Sequence, residues 1–353
     1  MVTQDKIAGQ LNLSKSTVSR ILSGKLVFED ETRARVLALA SKLGYRHLRP
    51  TVRSRARRNG KATLVGVMIE ETTIPNLAPR VPVVATRVLR GMSEAARMDE
   101  IAINVDYRTR EQMDQLHLPE HQPALLRKGH LSGLLLHGTM GLSSIEALSK
   151  QLPCIRVNNR EPEVALDCVG QNDLDATQAL VKHLQILGHR RIGFLSETED
   201  NWPYRVRRAG FWMALAHMGL EYRPDSVVVS PLSAAAEPIL WEAVHEKVLA
   251  QVHNGVRAWI CVHDDLGYSL VRYLKKQGLR VPQDVAVCGF DNLASPDKEI
   301  PRLTTIDWPF EDIGAAAMRR LLRRIIEPAG AQVYMMFNGR LIPGPSTVPE
   351  PSA

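Results

Sequence analysis

The chain has 353 residues, of which 44% are hydrophobic and 24% are charged, and its formal net charge at pH 7 is +7. A chain of this length exceeds the size at which one hydrophobic core stops growing, so two or three compact units are expected. No apolar run reaches the roughly 18–20 residues that span a bilayer, and the start MVTQDKIAGQ lacks the pattern of a secretory signal, so we expect a cytoplasmic protein rather than a membrane or exported one.

The positive charge is concentrated at the N-terminus. Residues 1–63 hold 14 Lys/Arg and 4 Asp/Glu, whereas the rest of the chain holds 31 and 34. A small basic module on a near-neutral body is typical of proteins that bind nucleic acid, because cationic side chains displace counterions from phosphates. Charge alone leaves open the alternative of a merely solvated basic surface.

The first 45 residues predict three short helices around one small core. The first is expected over Thr3–Gln10; the second follows the tight connection at Asn12 with Ser14 as its N-cap; the third, ETRARVLALASKLGY, is capped by Asp30. The positions predicted to face inward are Ile7, Ala8, Leu11, Val18, Ile21, Leu22, Val36, Leu39, Ala40 and Leu43.

Residues 46–63 read as a basic linker, because they are rich in Lys and Arg and contain no acidic residue. Beyond them, short β-rich runs alternate with helical stretches. The predicted strands are LVGVMI, IAINV, LSGLLLHG, PCIRV, RIGFLS, SVVVS, AWICVH and DVAVCGF. Such alternation predicts an α/β core with two doubly wound parallel sheets in two separate lobes.

The cysteines are far apart and form no CxxC pair. They lie in apolar strand-like segments, so we predict reduced thiols in the core rather than a zinc site or a catalytic thiol. The four cysteines are Cys154, Cys168, Cys261 and Cys288. The sequence predicts no metal site, no cofactor and no catalytic residue.

Several separate segments resemble the LacI/GalR family of bacterial transcription regulators, over a stretch from Val2 to about Ile325. The strongest is the N-terminal block KIAGQLNLSKSTVSRILSG with ETRARVLALASKLGY, while each later block is weak by itself. The later blocks are ALVKHLQILGHRRIGFLS, RRAGFWMAL, GLRVPQDVAVCGFDN and PRLTTIDWP.

The resemblance implies a helix-turn-helix headpiece, a hinge that folds on DNA, and a core similar to periplasmic sugar-binding proteins. It also implies a homodimeric repressor in the nucleoid. Such a regulator reads the half-sites of a pseudo-palindromic operator and responds allosterically to a sugar-like effector. The expected domains are a headpiece over 1–45, a hinge over 46–63 and a core over 64–353. Within the core we expect an N-lobe of about 64–160 plus 308–325 and a C-lobe of about 161–307 plus 326–353.

The second helix is the candidate DNA reader. Lys15 and Ser16 lie where a helix in the major groove reaches base edges, and Arg20 is suited to a bidentate contact with guanine. The matching three positions read bases in the family. Hydroxyls suited to phosphate oxygens are those of Thr3, Ser14, Thr17 and Ser19, and for Ser14 a purely structural capping role is the alternative.

The hinge departs from the family pattern, since it is about three residues longer and has Arg57 near the place of a leucine that wedges into the minor groove. Arg53, Arg55, Arg57 and Arg58 are expected to hold phosphates or to enter a narrow minor groove. A disordered basic tether is the alternative.

The effector candidates follow from the resemblance and from their places after predicted strands. Arg207 and Asp291 match a family arginine and aspartate that bind the ligand, and His263 stands where the family more often has Asn. A structural ion pair is the alternative for Asp291. Further candidates are Trp308, Phe310 and Asn159, with Asn158 and Arg160 beside it; for the two rings the alternative is packing.

Two other functions are compatible with a two-lobed α/β fold. An enzyme using His263, Asp264 and Asp265 is disfavoured because the sequence has no nucleophile elbow, P-loop, Rossmann fingerprint or metal motif. A sugar-binding module without a regulatory role would lack the basic N-terminal block.

Overall fold

The computed structural model describes residues 4–23, 32, 35–36, 39, 63–71, 82–197, 201–230 and 238–348. The chain separates into two compact units, Met1–Lys61 and Ala62–Ala353. The junction between them falls at the end of the basic linker expected over 46–63. Residues 46–62 of that linker lie outside the described residues.

The N-terminal unit begins with two helices, α1 (Gln4–Leu11) and α2 (Lys15–Ser23). The turn between them is tight, because Asn12 has a left-handed φ of 53° and the Leu13 N–H donates to the Ala8 carbonyl at 3.0 Å. Helix α2 begins where predicted, since the Ser14 side chain accepts a hydrogen bond from the Thr17 N–H at 3.0 Å.

A small apolar cluster holds this unit together. Ile7 of α1, Val18 of α2 and Val36 are completely buried, and Leu39 packs against the same cluster. Val36 and Leu39 are helical, in agreement with the predicted third helix. Ala40 and Leu43 lie outside the described residues. The described part of the cluster confirms the predicted inward-facing positions of the first two helices at Ile7, Ala8, Val18 and Ile21.

The first lobe of the larger unit is built on a six-stranded parallel sheet with the order β11-β5-β4-β3-β1-β2. Its strands are β1 (Leu64–Glu70), β2 (Ala102–Arg108), β3 (Gly133–His137), β4 (Cys154–Val157), β5 (Asp167–Gln171) and β11 (Tyr334–Phe337). Its helices are α3 (Val83–Met98), α4 (Arg110–Asp114), α5 (Ala124–Arg127), α6 (Leu142–Ser149) and, after the second lobe, α11 (Phe310–Ile326).

The second lobe is built on a four-stranded parallel sheet with the order β7-β6-β8-β9. Its strands are β6 (Ile192–Ser196), β7 (Val227–Val229), β8 (Ala258–Cys261) and β9 (Ala286–Cys288). Its helices are α7 (Asp173–Ile186), α8 (Trp202–His217), α9 (Pro238–His253) and α10 (Asp264–Lys276). The predicted architecture of two parallel sheets in two lobes is confirmed.

The sheets correct two of the lobe boundaries expected from the sequence. Strand β5 lies within 161–307 but pairs with β4 of the first sheet, and β11 lies within 326–353 but pairs with β5. Asp167 of β5 is buried and bonded to Arg320 and Arg324 of α11 at 2.8 Å each, and it accepts the Val333 N–H, directly before β11, at 2.7 Å. Strands β5 and β11 therefore belong to the sheet of the first lobe and not, as their sequence positions predict, to the second lobe.

Three segments connect the lobes, and they lie side by side. The first, at Asn172, donates from its backbone N–H to the Phe337 carbonyl of the third at 2.9 Å. The second carries β10 (Thr305–Asp307), which pairs antiparallel with β12 (Arg340–Ile342) of the third. Hydrogen bonds between the connections thus join them into one hinge region.

In the first lobe, α3 and α11 cross in close contact. A Cβ on Gly91 would overlap the Glu311 carbonyl, and one on Gly314 would overlap the Val88 carbonyl. The two helices can approach this closely only because both positions lack a side chain.

The cysteines are free and buried, as predicted. Burial raises the pKa of Cys154 and of Cys168 to about 12, which keeps both thiols protonated at neutral pH. Among the described helices, none combines the length and the apolar character needed to cross a bilayer.

Candidate DNA-reading helix and effector cleft

The outward face of α2 carries the predicted DNA readers that the structure describes. Val18 and Ile21 are buried, so the helix presents its other side to solvent. Lys15 is on that side with 62% of its side chain exposed, and its Nζ lies 2.7 Å from Asp5 Oδ2. An exposed pair of this kind is weak, which allows Lys15 to exchange Asp5 for a base or a phosphate.

Hydroxyl groups cluster at the N-terminus of α2. Ser14 Oγ lies 2.7 Å from Ser16 Oγ and 2.8 Å from Thr17 Oγ1. Ser14 also caps the helix, so the structural role considered for it is confirmed. Contacts of these hydroxyls with phosphate remain a prediction.

The other predicted DNA contacts lie outside what the structure describes. These are Thr3, Arg53, Arg55, Arg57 and Arg58, and the side chains of Ser19 and Arg20.

The effector candidates of the second lobe lie along the carboxyl edge of its sheet. Glu197 directly follows β6, His263 follows β8 on the neighbouring strand, and Asp291 follows β9 at the next position along the edge. Parallel strands end at the same edge, and ligands of open α/β sheets bind there. All three side chains are largely buried. We call these three residues the edge row.

Arg207 reaches this edge from α8 and is almost entirely buried. Its Nε donates to Asp173 Oδ1 at 2.7 Å, its Nη1 donates to the Val262 carbonyl at 2.5 Å, and its Nη2 lies 3.6 Å from Asp291 Oδ1. Its guanidinium also covers the Phe290 ring, with 4.3 Å between Cζ and the ring centroid. The structure therefore places Arg207 beside Asp291 as an ion pair, which is the structural alternative for Asp291, and their contact with an effector remains a prediction.

The carboxyl groups around Arg207 have shifted pKa values. Burial raises the pKa of Asp173 to about 6, although the Arg207 guanidinium opposes the shift. Burial likewise raises the pKa of Asp291, again against the effect of Arg207. The Arg207 guanidinium favours the ionised form of both carboxyl groups and so acts against the effect of burial.

His263 has a partner on each ring nitrogen. Its Nδ1 accepts the Leu266 N–H at 3.1 Å, which caps α10, and its Nε2 lies 2.7 Å from Glu197 Oε1. Burial lowers the pKa of His263 and the Glu197 carboxylate raises it, with the carboxylate prevailing. The cap opposes protonation, because a hydrogen on Nδ1 would meet the hydrogen of the Leu266 amide.

Asp264, considered above as part of a catalytic group, has a structural role. Its carboxylate accepts hydrogen bonds from the Leu293 N–H at 2.8 Å and from the Thr305 hydroxyl at 2.9 Å. It is completely buried, and burial raises its pKa well above the ordinary value. Asp264 therefore fixes the loop that carries Asp291, which itself adopts a left-handed φ of 96°.

The two aromatic candidates at the hinge are completely buried. Phe310 packs under the Arg87 guanidinium at 5.1 Å, and Trp308 lies beside Arg207 at 5.9 Å from its Cζ. Packing accounts for Phe310. The Trp308 Nε1 is buried and forms no hydrogen bond with the described residues.

The first lobe faces the cleft with the residues that follow β4. Asn158 and Asn159 are buried, and their Oδ1 atoms form no hydrogen bonds with the described part of the chain. The Arg160 guanidinium lies over the Trp202 ring of the second lobe at 5.6 Å and over the Tyr334 ring of the first at 5.2 Å. This stack joins the two lobes.

Sequence reasoning missed two residues of the cleft, Glu197 and Asp173. Glu197 directly follows the predicted strand RIGFLS, and that position at a sheet edge was the available signal. Asp173 gave no signal, because its role depends on the approach of α8 to α7.

Comparison with known proteins agrees with this arrangement. Residues 4–47 match the family described as bacterial regulatory proteins, lacI family, and residues 181–347 match the periplasmic binding protein-like domain. The chain is 30% identical over 329 residues to catabolite control protein A of Priestia megaterium, covering 91% of this chain and 92% of that protein.

The chain belongs to the LacI family. Another member that it resembles is the ribose operon repressor of Haemophilus influenzae, with 23% identity over 328 residues and 93% of each chain covered.

Solved LacI-family structures share the fold. The complex of the regulator CelR with cellobiose has a TM-score of 0.68 at 21% identity and covers 98% of this chain and 100% of that one. The lac repressor dimer bound to operator and an anti-inducer has a TM-score of 0.63 at 20% identity, with coverage of 98% and 99%.

Membership of the LacI family makes this protein a DNA-binding transcriptional regulator and not an enzyme. The expected headpiece and two-lobed core are confirmed as the fold. The roles of the individual site residues remain predictions.

Proposed function

We propose that this LacI-family regulator is an operator-binding repressor whose affinity for DNA is set by a small polyhydroxylated effector bound between its lobes. It acts in the cytoplasm as a homodimer, with two headpieces that read the half-sites of a pseudo-palindromic operator. Lys15, Ser16 and Arg20 contact base edges, and Ser14 and Thr17 contact phosphates.

The observation that supports the effector site is the position of Arg207 beside the edge row. A guanidinium and carboxylates at the carboxyl edge of a parallel sheet present donors and acceptors to the hydroxyls of a sugar. Trp308, whose Nε1 has no hydrogen-bond partner among the described residues, remains a candidate donor at the hinge. The cellobiose complex and the ribose operon repressor among the similar proteins favour a carbohydrate.

The effector controls DNA binding through lobe closure. An effector that binds the closed core more tightly than the open one shifts the core towards closure, and operator affinity changes by the same coupling free energy. The stack of Arg160 on Trp202 is a contact that closure makes and opening breaks.

Selection of duplexes from a random-sequence pool by the full-length protein tests this function. We expect one pseudo-palindromic sequence to be enriched, and a fragment that begins at Leu64 to keep its thermal transition but to retain no duplex. Addition of the cognate sugar should change operator affinity of the full-length protein and leave its affinity for random DNA unchanged. Failure to enrich any sequence at moderate salt, with and without candidate sugars, would rule out the proposal.

A further inference from the structure

The carboxyl edge of the second sheet has an excess of negative charge. Asp173, Glu197 and Asp291 contribute three carboxylates, and Arg207 contributes one guanidinium. Arg207 is bonded to Asp173 at 2.7 Å and lies 3.6 Å from Asp291, so one guanidinium is paired with two carboxylates. Glu197 is paired with His263 instead.

His263 does not cancel this excess. With Nδ1 accepting the Leu266 N–H, the proton of a neutral imidazole is on Nε2 and is donated to Glu197. Donation from a neutral imidazole adds no positive charge, so among the described residues of the edge two negative charges stay uncompensated. Protonation of His263 would still leave one, and the exposed Asp265 beside it adds a further negative group.

Two cationic side chains of the first lobe are engaged elsewhere. Arg160 is stacked between the rings of Trp202 and Tyr334. Arg156 is completely buried, donates to the Gly138 carbonyl at 2.8 Å and lies 3.7 Å from Glu161 Oε1. Neither guanidinium is paired with the edge row.

An anionic ligand group at this edge would meet like charges in a poorly solvated environment. Glu197 is only 4% exposed and Asp291 only 9%, so water screens their charges weakly. Hydroxyl and ammonium groups, by contrast, donate hydrogen bonds to carboxylates. The charge balance therefore discriminates between ligands that carry the same sugar skeleton.

We propose that the effector is a hydroxyl-rich, non-anionic molecule, and that Glu197 is the residue that rejects phosphorylated and carboxylated analogues. This inference rests on the proposed effector cleft. Glu197 determines specificity because it is the carboxylate of the edge that has no guanidinium partner among the described residues, while its bond to His263 holds it in place.

The test compares matched ligands on the full-length protein. The probes are glucose, glucosamine, glucose 6-phosphate and gluconate; ribose and ribose 5-phosphate; cellobiose and cellobionate. Thermal shift identifies the sets that bind, and calorimetry gives their affinities. We expect the stabilising members to be neutral or amino sugars, with the anionic analogue of each bound at least about tenfold more weakly.

Glu197→Gln removes the charge and keeps an oxygen that accepts the His263 Nε2–H. The substitution should reduce the ratio of the affinities for the neutral and the anionic member of a set by about tenfold. Glu246→Gln, on the exposed face of α9, is the matched control and should leave this ratio unchanged.

The inference is overturned if an anionic probe binds as tightly as its neutral analogue, or if no neutral or amino sugar stabilises the protein. It is also overturned if Glu197→Gln leaves the affinity ratio between neutral and anionic analogues unchanged. The comparison on the unaltered protein decides the ligand class even if the variant does not fold. If the same preparation selects an operator sequence, a negative ligand result contradicts only the inference about the effector and not the proposed regulator function.

Discussion

Arg207 and Asp173 form a buried ion pair, with 2.7 Å between Nε and Oδ1 and only 3% of each side chain exposed. The pair joins α8 to the first residue of α7, while Arg207 Nη1 bonds the Val262 carbonyl at the end of β8. Arg207 is thus held rigidly before any ligand arrives, which is the condition for a selective polar contact.

Asp173→Asn should destabilise the core, because it leaves the Arg207 charge buried with only the more distant Asp291. We expect a loss of about 3–5 kcal/mol in the free energy of unfolding, measured by urea denaturation at neutral pH. Asp175→Asn, on the exposed face of the same helix, should change stability by less than about 0.5 kcal/mol. Equal effects of the two substitutions would show that the pair contributes little.

Stability should fall at acidic pH through buried histidines. Burial lowers the pKa of His245 from 6.5 to about 4, so as pH falls the unfolded chain binds this proton before the folded one does. The contribution of neutral His245 to stability is fully present above its pKa in the unfolded chain, about 6.5, and is lost as pH falls towards about 4. The free energy of unfolding should fall by up to about 3 kcal/mol for this residue.

His245→Phe should reduce this loss, because the ring lies between those of Trp241 and Tyr273 and a phenyl group fits the same place without a proton. Urea denaturation across this pH range measures the slope. His137, whose pKa burial also lowers to about 4, accounts for part of the slope that remains. The exposed His217→Phe is the control, and a slope equal to that of the unaltered protein in His245→Phe would refute the assignment.

Gly314→Ala should weaken the contact between α3 and α11, since the added Cβ overlaps the Val88 carbonyl. We expect a loss of about 3 kcal/mol, because two helix backbones have to separate. Thermal unfolding of the core measures it. Gly9→Ala, where a Cβ in α1 meets open space, is the matched control and should leave the core transition unchanged. A stable Gly314→Ala variant would mean that the helices can shift at little cost.

Lys15→Gln should weaken binding to the selected operator by about 1–3 kcal/mol and binding to random DNA by much less. Asp5→Asn should have the opposite sign, because it removes the group that competes for Lys15. Fluorescence anisotropy with operator and scrambled duplexes measures both. The base-reading role fails if Lys15→Gln lowers the two affinities equally.

The sequence predicted the elements that have strong local signals. Ser14 caps α2 and Val18 and Ile21 face inward, as hydroxyl caps and helical spacing indicate. The four strands of the second sheet follow from their apolar runs. In these cases one segment of chain contains all the information that its structure needs.

The missed features depend on contacts between distant segments. Strand β5 has the sequence DCVGQ, which carries a charge and a glycine, and it is stable because Arg320 and Arg324 bind Asp167. Strand β11 is an edge strand with exposed residues, so it shows no apolar alternation. The excess negative charge of the described cleft residues arises in the same way, because Glu197, Asp173 and Asp291 come from three separate segments of the chain.

The hinge region limits how the lobes can move. The β10–β12 pairing and the bond from Asn172 to Phe337 tie the three connections to one another, so we expect the lobes to move by bending across all three together. On the proposed function, an effector held at Arg207 and Asp291 therefore changes one angle between the lobes.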